Sequence, residues 1–96
     1  MKVVLSRESE SDLFDIAVEI AKDSPRRARS YARELRASCL SLGRHPDRFR
    51  VVIDTTEPLR RIVHGSYLIF YAVRSDHVRI SRIIHSARLI DPSMFQ

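Results

Sequence analysis

The hydrophobic period of this chain changes once, at Pro46, and that change limits the folds open to it. Before Pro46 the apolar residues recur at helical spacing: Leu13, Ile16, Ala17, Ile20 and Ala21, then Ala28, Tyr31, Ala32, Leu35, Cys39 and Leu42. After it they run in short blocks at strand spacing: "RFRVVI" (48–53), "LRRIVH" (59–64), "SYLIFYAV" (66–73) and "VRISRIIH" (78–85). Punctuation sharpens the division. Ser6 offers a helix N-cap, with Ser9 and Asp12 as further capping candidates, and Ser24 followed by Pro25 restarts a second helix. Gly43 reads as a left-handed C-terminal cap, and Pro46 prevents continuation. The pattern predicts helices near 7–22 and 25–42, joined so tightly that they form an antiparallel hairpin. "KVVL" (2–5) is long enough only for a strand, Gly65 marks a tight hairpin turn, and 54–58 reads as a loop. Tyr67 to Val73 is apolar on both faces, as a central strand requires. The expected class is α+β: an N-terminal strand, a two-helix hairpin, then a mainly antiparallel sheet in one domain spanning 1–96.

Composition excludes several chemistries. The single cysteine, Cys39, permits no intrachain disulfide and reads as a small buried apolar residue within the second helix. One cysteine and scattered histidines cannot build a four-ligand metal site, and two glycines cannot build a phosphate-cradling loop, so no metal and no cofactor is expected. No apolar run approaches the roughly 18 residues of a membrane span. No leader-like pattern opens the chain, so no membrane association and a cytoplasmic location are expected. The formal charge is +5, and it is unevenly spread. Residues 1–43 carry eight basic and seven acidic side chains, whereas 44–96 carry nine and five. A basic second half suits nucleic acid or an acidic protein partner.

The string "LRRIVHGSYLIFYAVRSDHVRISRIIHSARLID" resembles the C-terminal half of the RelE/ParE superfamily of type II toxins. It shows Leu-Arg-Arg before a turn glycine, a Tyr-Leu-Ile-Phe-Tyr strand, and the ending Ile-x-x-Ile-x-His-x-x-Arg. "LSRESESDLFDIAVEIAKDSP" resembles the family's Ser-x(5)-Asp-Leu-x-x-Ile opening, and "LSLGRHPDRF" its Leu-x(3)-His-Pro segment. The resemblance covers nearly the whole chain. It implies a small bacterial toxin neutralised by a cognate antitoxin in a toxin–antitoxin complex. Two biochemistries live on this fold: RelE-like members cut mRNA on the ribosome, and ParE-like members poison DNA gyrase. Fold membership alone does not choose between them.

Metal-free RNA cleavage needs a base for the 2′-hydroxyl, cations around the phosphate and an acid for the leaving oxygen. The residues that would serve are Arg61, His85 and Arg88. Against this, "RFRVVIDTTEPLRR" lacks the lysines of RelE-like nucleases and holds its one glutamate, Glu57, in a loop beside Pro58. The "DPSMFQ" ending offers Phe95, which stacks but passes no proton. The sequence therefore looks more ParE-like. On that reading Arg60, Arg61, His85 and Arg88 bind the target, with gyrase expected, ribosome-bound mRNA the alternative, and a non-toxic antitoxin-binding module a third possibility. Strand alternation sends Arg60 and Arg61 to opposite faces, so at most one of them shares a face with any site. The antitoxin is expected to carry an acidic amphipathic tail that folds against the helix hairpin through Leu13, Ile16, Ile20, Tyr31, Leu35, Arg29 and Arg33.

Overall fold

A computed structural model of the protein describes residues 1–54 and 56–95; Thr55, inside the expected 54–58 loop, and Gln96 lie outside them. The element order is β1 (Lys2–Leu5), α1 (Arg7–Ala21), α2 (Pro25–Ser41), a 3-10 turn (Pro46–Arg48), β2 (Val51–Asp54), β3 (Pro58–His64), β4 (Tyr67–Val73), β5 (His77–His85) and a second 3-10 turn (Pro92–Phe95). The strands form one mixed sheet of order β1-β5-β4-β3-β2, in which β1 runs parallel to β5 and every other pairing is antiparallel. The α+β architecture read from the sequence is therefore the observed one, with β4 at the centre.

The helices begin where their caps put them. The Ser6 hydroxyl accepts from the Ser9 N–H at 3.0 Å, and the Ser24 hydroxyl from the Arg27 N–H at 3.1 Å. Pro25 opens α2, at a position where its missing N–H costs no helical hydrogen bond. The hairpin lays one apolar stripe on the sheet, so Leu13, Ile16, Leu35, Cys39 and Leu42 join Ile62, Ile69, Tyr71, Val78, Ile80 and Ile83 in a single core. Burial pushes the Cys39 thiol up to about 12, so it stays protonated as a packing residue. No helix among the described residues is long and apolar enough to cross a membrane.

Two local expectations are corrected. Gly43 is not a left-handed cap, because Gly65 (φ 58°) is the one glycine with a positive φ among the described residues. Gly43 is needed for close approach: an added Cβ would collide with the Met1 carbonyl, and the Met1 ammonium donates to the Gly43 carbonyl at 2.8 Å. β2 also starts later than expected, since residues 46–48 turn before the strand begins.

β1 is too short to cover the whole of β5, and the chain closes that edge with the start of α1. The Ser6 N–H donates to the Ile80 carbonyl at 3.0 Å, and the Ser6 hydroxyl donates to the Ser81 carbonyl at 2.8 Å. Nearly two helical turns on, the Asp12 carboxylate accepts from the Ile83 N–H at 2.9 Å and from the Arg82 guanidinium at 2.8 and 2.9 Å. Arg82 also donates to the Met94 carbonyl at 3.1 Å, which pulls the last 3-10 turn over the opposite sheet face. There Phe95 packs edge-on against Phe70, with ring centroids 4.8 Å apart. Both side chains of the Asp12–Arg82 pair are largely buried, with relative exposures of 12% and 17%. Removing one partner strands the other with its charge uncompensated. Asp12→Ala is therefore expected to lower the unfolding free energy by about 3 kcal/mol, read from urea denaturation. A loss below about 0.5 kcal/mol would show that water replaces the carboxylate without penalty.

Candidate functional site

The residues singled out in the sequence fall at three separate places. At the end of the sheet, where β3 turns into β4 and β5 leaves, four rings form a row. His85 meets Tyr67 edge-on at 5.2 Å, Tyr67 lies 6.0 Å from Tyr31 of α2, and Tyr31 meets His64 at 5.7 Å. The Arg27 guanidinium sits over the Tyr31 ring at 5.0 Å. Gly65 makes the row possible: it takes the left-handed conformation of the turn, and a Cβ there would come within 2.6 Å of the Tyr31 hydroxyl.

A β-bulge decides that His85 belongs to this row. Phe70 pairs with Arg82 but Tyr71 pairs with Ile80, so Ser81 is an extra residue that reverses the alternation of β5. Val78 and Ile80 face the helices before it, and Ile83 and His85 after it. The chemistry at His85 is constrained. Its Nδ1 accepts a hydrogen bond from the Ala87 N–H at 3.0 Å, which places the proton of the neutral ring on Nε2, the nitrogen left to meet a ligand. In this state Nε2 donates and has no lone pair for a substrate proton. Tyr67 beside it has its phenol pKa raised, chiefly by burial and further by Tyr31 and Glu19, so it remains protonated. Arg88 lines the same depression, together with the carboxylates of Asp15 and Glu19.

The arginines of β3 lie elsewhere. Arg61 pairs with Phe70 and points to the face opposite His85, whose cross-strand partner is Tyr67, so Arg61, His85 and Arg88 do not converge on one phosphate. Arg60 does share the helix-side face, but the fold itself engages it. Its guanidinium donates to the carbonyls of Phe49 at 2.5 Å and Asp47 at 3.3 Å, and it pairs with the Asp47 carboxylate at 3.5 Å. Arg60, expected to bind the target, is thus also the pin of the 46–49 turn. Among the described residues no group of three or more His, Cys, Asp or Glu side chains is gathered for a metal ion.

The outer face of the hairpin is the third place. Leu13, Ile16 and Leu35, expected to receive an antitoxin, are buried between hairpin and sheet, because one apolar stripe cannot serve the core and a partner together. Ile20 and Tyr31 also pack against that core. Outside, a second apolar strip runs between the helices, formed by Ala17, Val18, Ala21, Ala28 and Ala32, with Arg29 and Arg33 on its rim. Phe14 continues it and is 68% exposed. The sequence signal for this strip was present as Phe14, Val18 and Ala21 at i, i+4 and i+7, set beside Ala28 and Ala32.

A family model described as "ParE toxin of type II toxin-antitoxin system, parDE" matches residues 3–90. The chain belongs to the ParE toxin family. Membership of this family implies a cognate antitoxin as partner. A solved structure with a similar fold is titled "Chromosomal ParDE TA system from P. aeruginosa"; it superposes with a TM-score of 0.76 at 15% identity, over 88% of this chain and 95% of that one. At that identity the likeness speaks for the ParE fold alone. No curated relative matches the sequence.

The role assigned to Arg60 is open to measurement. Arg60→Lys keeps the charge but cannot bridge two carbonyls and a carboxylate with one ammonium. It is expected to cost about 1–2 kcal/mol of stability and to lower the melting temperature. An unchanged melting temperature would return Arg60 to the set of free surface cations.

Proposed function

We propose that this ParE-family chain is a toxin that acts by binding, with DNA gyrase as its target, and that its antitoxin silences it by folding an acidic amphipathic helix into the hairpin groove. The observation that carries the first half is the hydrogen bond from the Ala87 N–H to His85 Nδ1. It leaves the imidazole as a donor, whereas an RNase base must present a free lone pair. Two further features support the same reading. Arg61 lies on the opposite face, and Asp15 and Glu19 beside His85 repel the phosphate that a nuclease would have to seat. His85 and Arg88 then shape an end surface for a macromolecular target in the cytoplasm.

The second half rests on the strip between the helices. It is apolar and bordered by guanidinium groups, which suits a helix with Leu or Ile on one face and carboxylates beside it. The sockets are Phe14, Ala17, Val18, Ala21 and Ala32, while Arg29 and Arg33 supply the charge.

The purified protein is expected to inhibit gyrase supercoiling and leave ribosome-bound mRNA uncut. His85→Gln should retain most of the toxicity, and Arg88→Ala should weaken target binding. Codon-specific mRNA cleavage lost in a folded His85→Gln variant would establish the nuclease instead. Normal growth on induced expression would point to a non-toxic antitoxin-binding module. For the groove, Val18→Asp sets a carboxylate where the antitoxin brings its own apolar and acidic groups. It should weaken antitoxin binding at least a hundredfold with the melting temperature unchanged, and unaltered affinity would move the antitoxin to another surface.

A further inference from the structure

The second half of the chain carries most of the positive charge, and its densest part is "RHPDRFR", residues 44–50. This segment leaves α2, turns through Pro46–Arg48 and enters β2. Arg44, His45, Arg48 and Arg50 are all exposed. The one acid among them, Asp47, is drawn to Arg60. No carboxylate pairs with Arg44, Arg48 or Arg50 among the described residues.

The turn is held rigidly from inside. The hydroxyl of the buried Tyr71 donates to the Pro46 carbonyl at 3.0 Å, and Arg60 donates to the carbonyls on either side of Arg48. The cations are thus displayed on a fixed backbone, so little order has to be gained when they meet a ligand. Arg44, His45 and Arg48 border a cleft of about 480 Å³ that Ser38, Phe49 and Val63 also line. The Arg48 guanidinium lies over the Phe49 ring at 5.5 Å, so the cleft lining carries a flat cationic plate.

We infer that this cleft is a binding subsite for the phosphodiester backbone of a nucleic acid, with Arg44 and Arg48 on successive phosphates and Phe49 with Arg48 as the surface for a sugar or base. The chemistry selects this occupant over an acidic helical peptide. A peptide helix needs a continuous apolar stripe, which the hairpin has and this cleft lacks. A phosphate chain needs clustered, unpaired guanidinium groups and a small flat apolar surface, and both are present here. The inference stands whether or not gyrase is the target, because it concerns direct contact between this chain and a nucleic acid.

The test is fluorescence anisotropy with a labelled 20-base-pair DNA duplex and with a single-stranded RNA of equal length, across a salt series. Each phosphate neutralised on duplex DNA contributes about 0.9 to the slope of log K against log salt. Arg44→Ala/Arg48→Ala should therefore flatten the duplex slope by about 2 and weaken binding at least tenfold at low salt. Arg26→Ala/Arg29→Ala, a pair of equal charge at the far end of α2, should change the slope by less than about half as much. All these side chains are exposed, and circular dichroism and melting temperature check that the variants fold. Tighter binding of the RNA would assign the strand as RNA, and tighter binding of the duplex would assign DNA. Equal losses in the two double variants would reduce the effect to diffuse net charge and overturn the site. No measurable binding of either strand by the unaltered protein would overturn it as well.

Discussion

Asp12 is the hinge pin of this molecule. A sheet whose first strand stops at Leu5 leaves the far half of β5 with unpaired backbone groups, and such an edge invites pairing with other chains. The carboxylate answers that problem from a helix: it takes the Ile83 N–H directly and holds Arg82 with two further hydrogen bonds. Through Arg82 the same node reaches the Met94 carbonyl and so fixes the segment that covers the opposite face. Hairpin, sheet edge and C-terminal turn are thereby tied through one carboxylate. With the far half of β5 closed in this way, the short strands β1 and β2 are the two outer strands of the ladder.

Much of this architecture was legible because local chemistry and long-range packing agree. Ser6, Ser24 and Pro25 mark helix starts by hydrogen bonds made within four residues, and the change of period at Pro46 marks the passage to strands. The errors came where a residue's role is set by something distant. Gly43 follows a helix as a cap glycine would, yet the Met1 backbone, 42 residues away, is what excludes a side chain there. Arg60 reads as a target-binding cation, and the carbonyls that engage it, 11 and 13 residues earlier, leave no local signal. The Ser81 bulge breaks the two-residue alternation without any glycine or proline to announce it, and with it the face on which His85 emerges.

The candidate sites were less legible than the fold, for a related reason. Leu13, Ile16 and Leu35 are the strongest apolar signal of the hairpin, and the strongest signal belongs to the core. The second apolar strip of the hairpin is written in smaller letters, alanines with Phe14 and Val18, which carry little weight in a sequence pattern. Once the core is subtracted the surface divides cleanly. The apolar strip with its arginine rim lies on the hairpin, the ring row at one end of the sheet, and the unpaired cations at the exit of α2.

The pairing of β1 with β5 has a consequence for how the chain is born. Lys2 to Leu5 find their ladder partners in His77 to Ile80, and Asp12 finds Arg82 some 70 residues later. Neither contact can form while β5 is still inside the ribosomal tunnel, so the nascent hairpin has no finished sheet to lie on. Until then its inner stripe and its outer strip are both uncovered. An antitoxin that docks on the outer strip, as proposed above, would find its surface formed before the sheet is complete, so binding need not wait for the fold to finish.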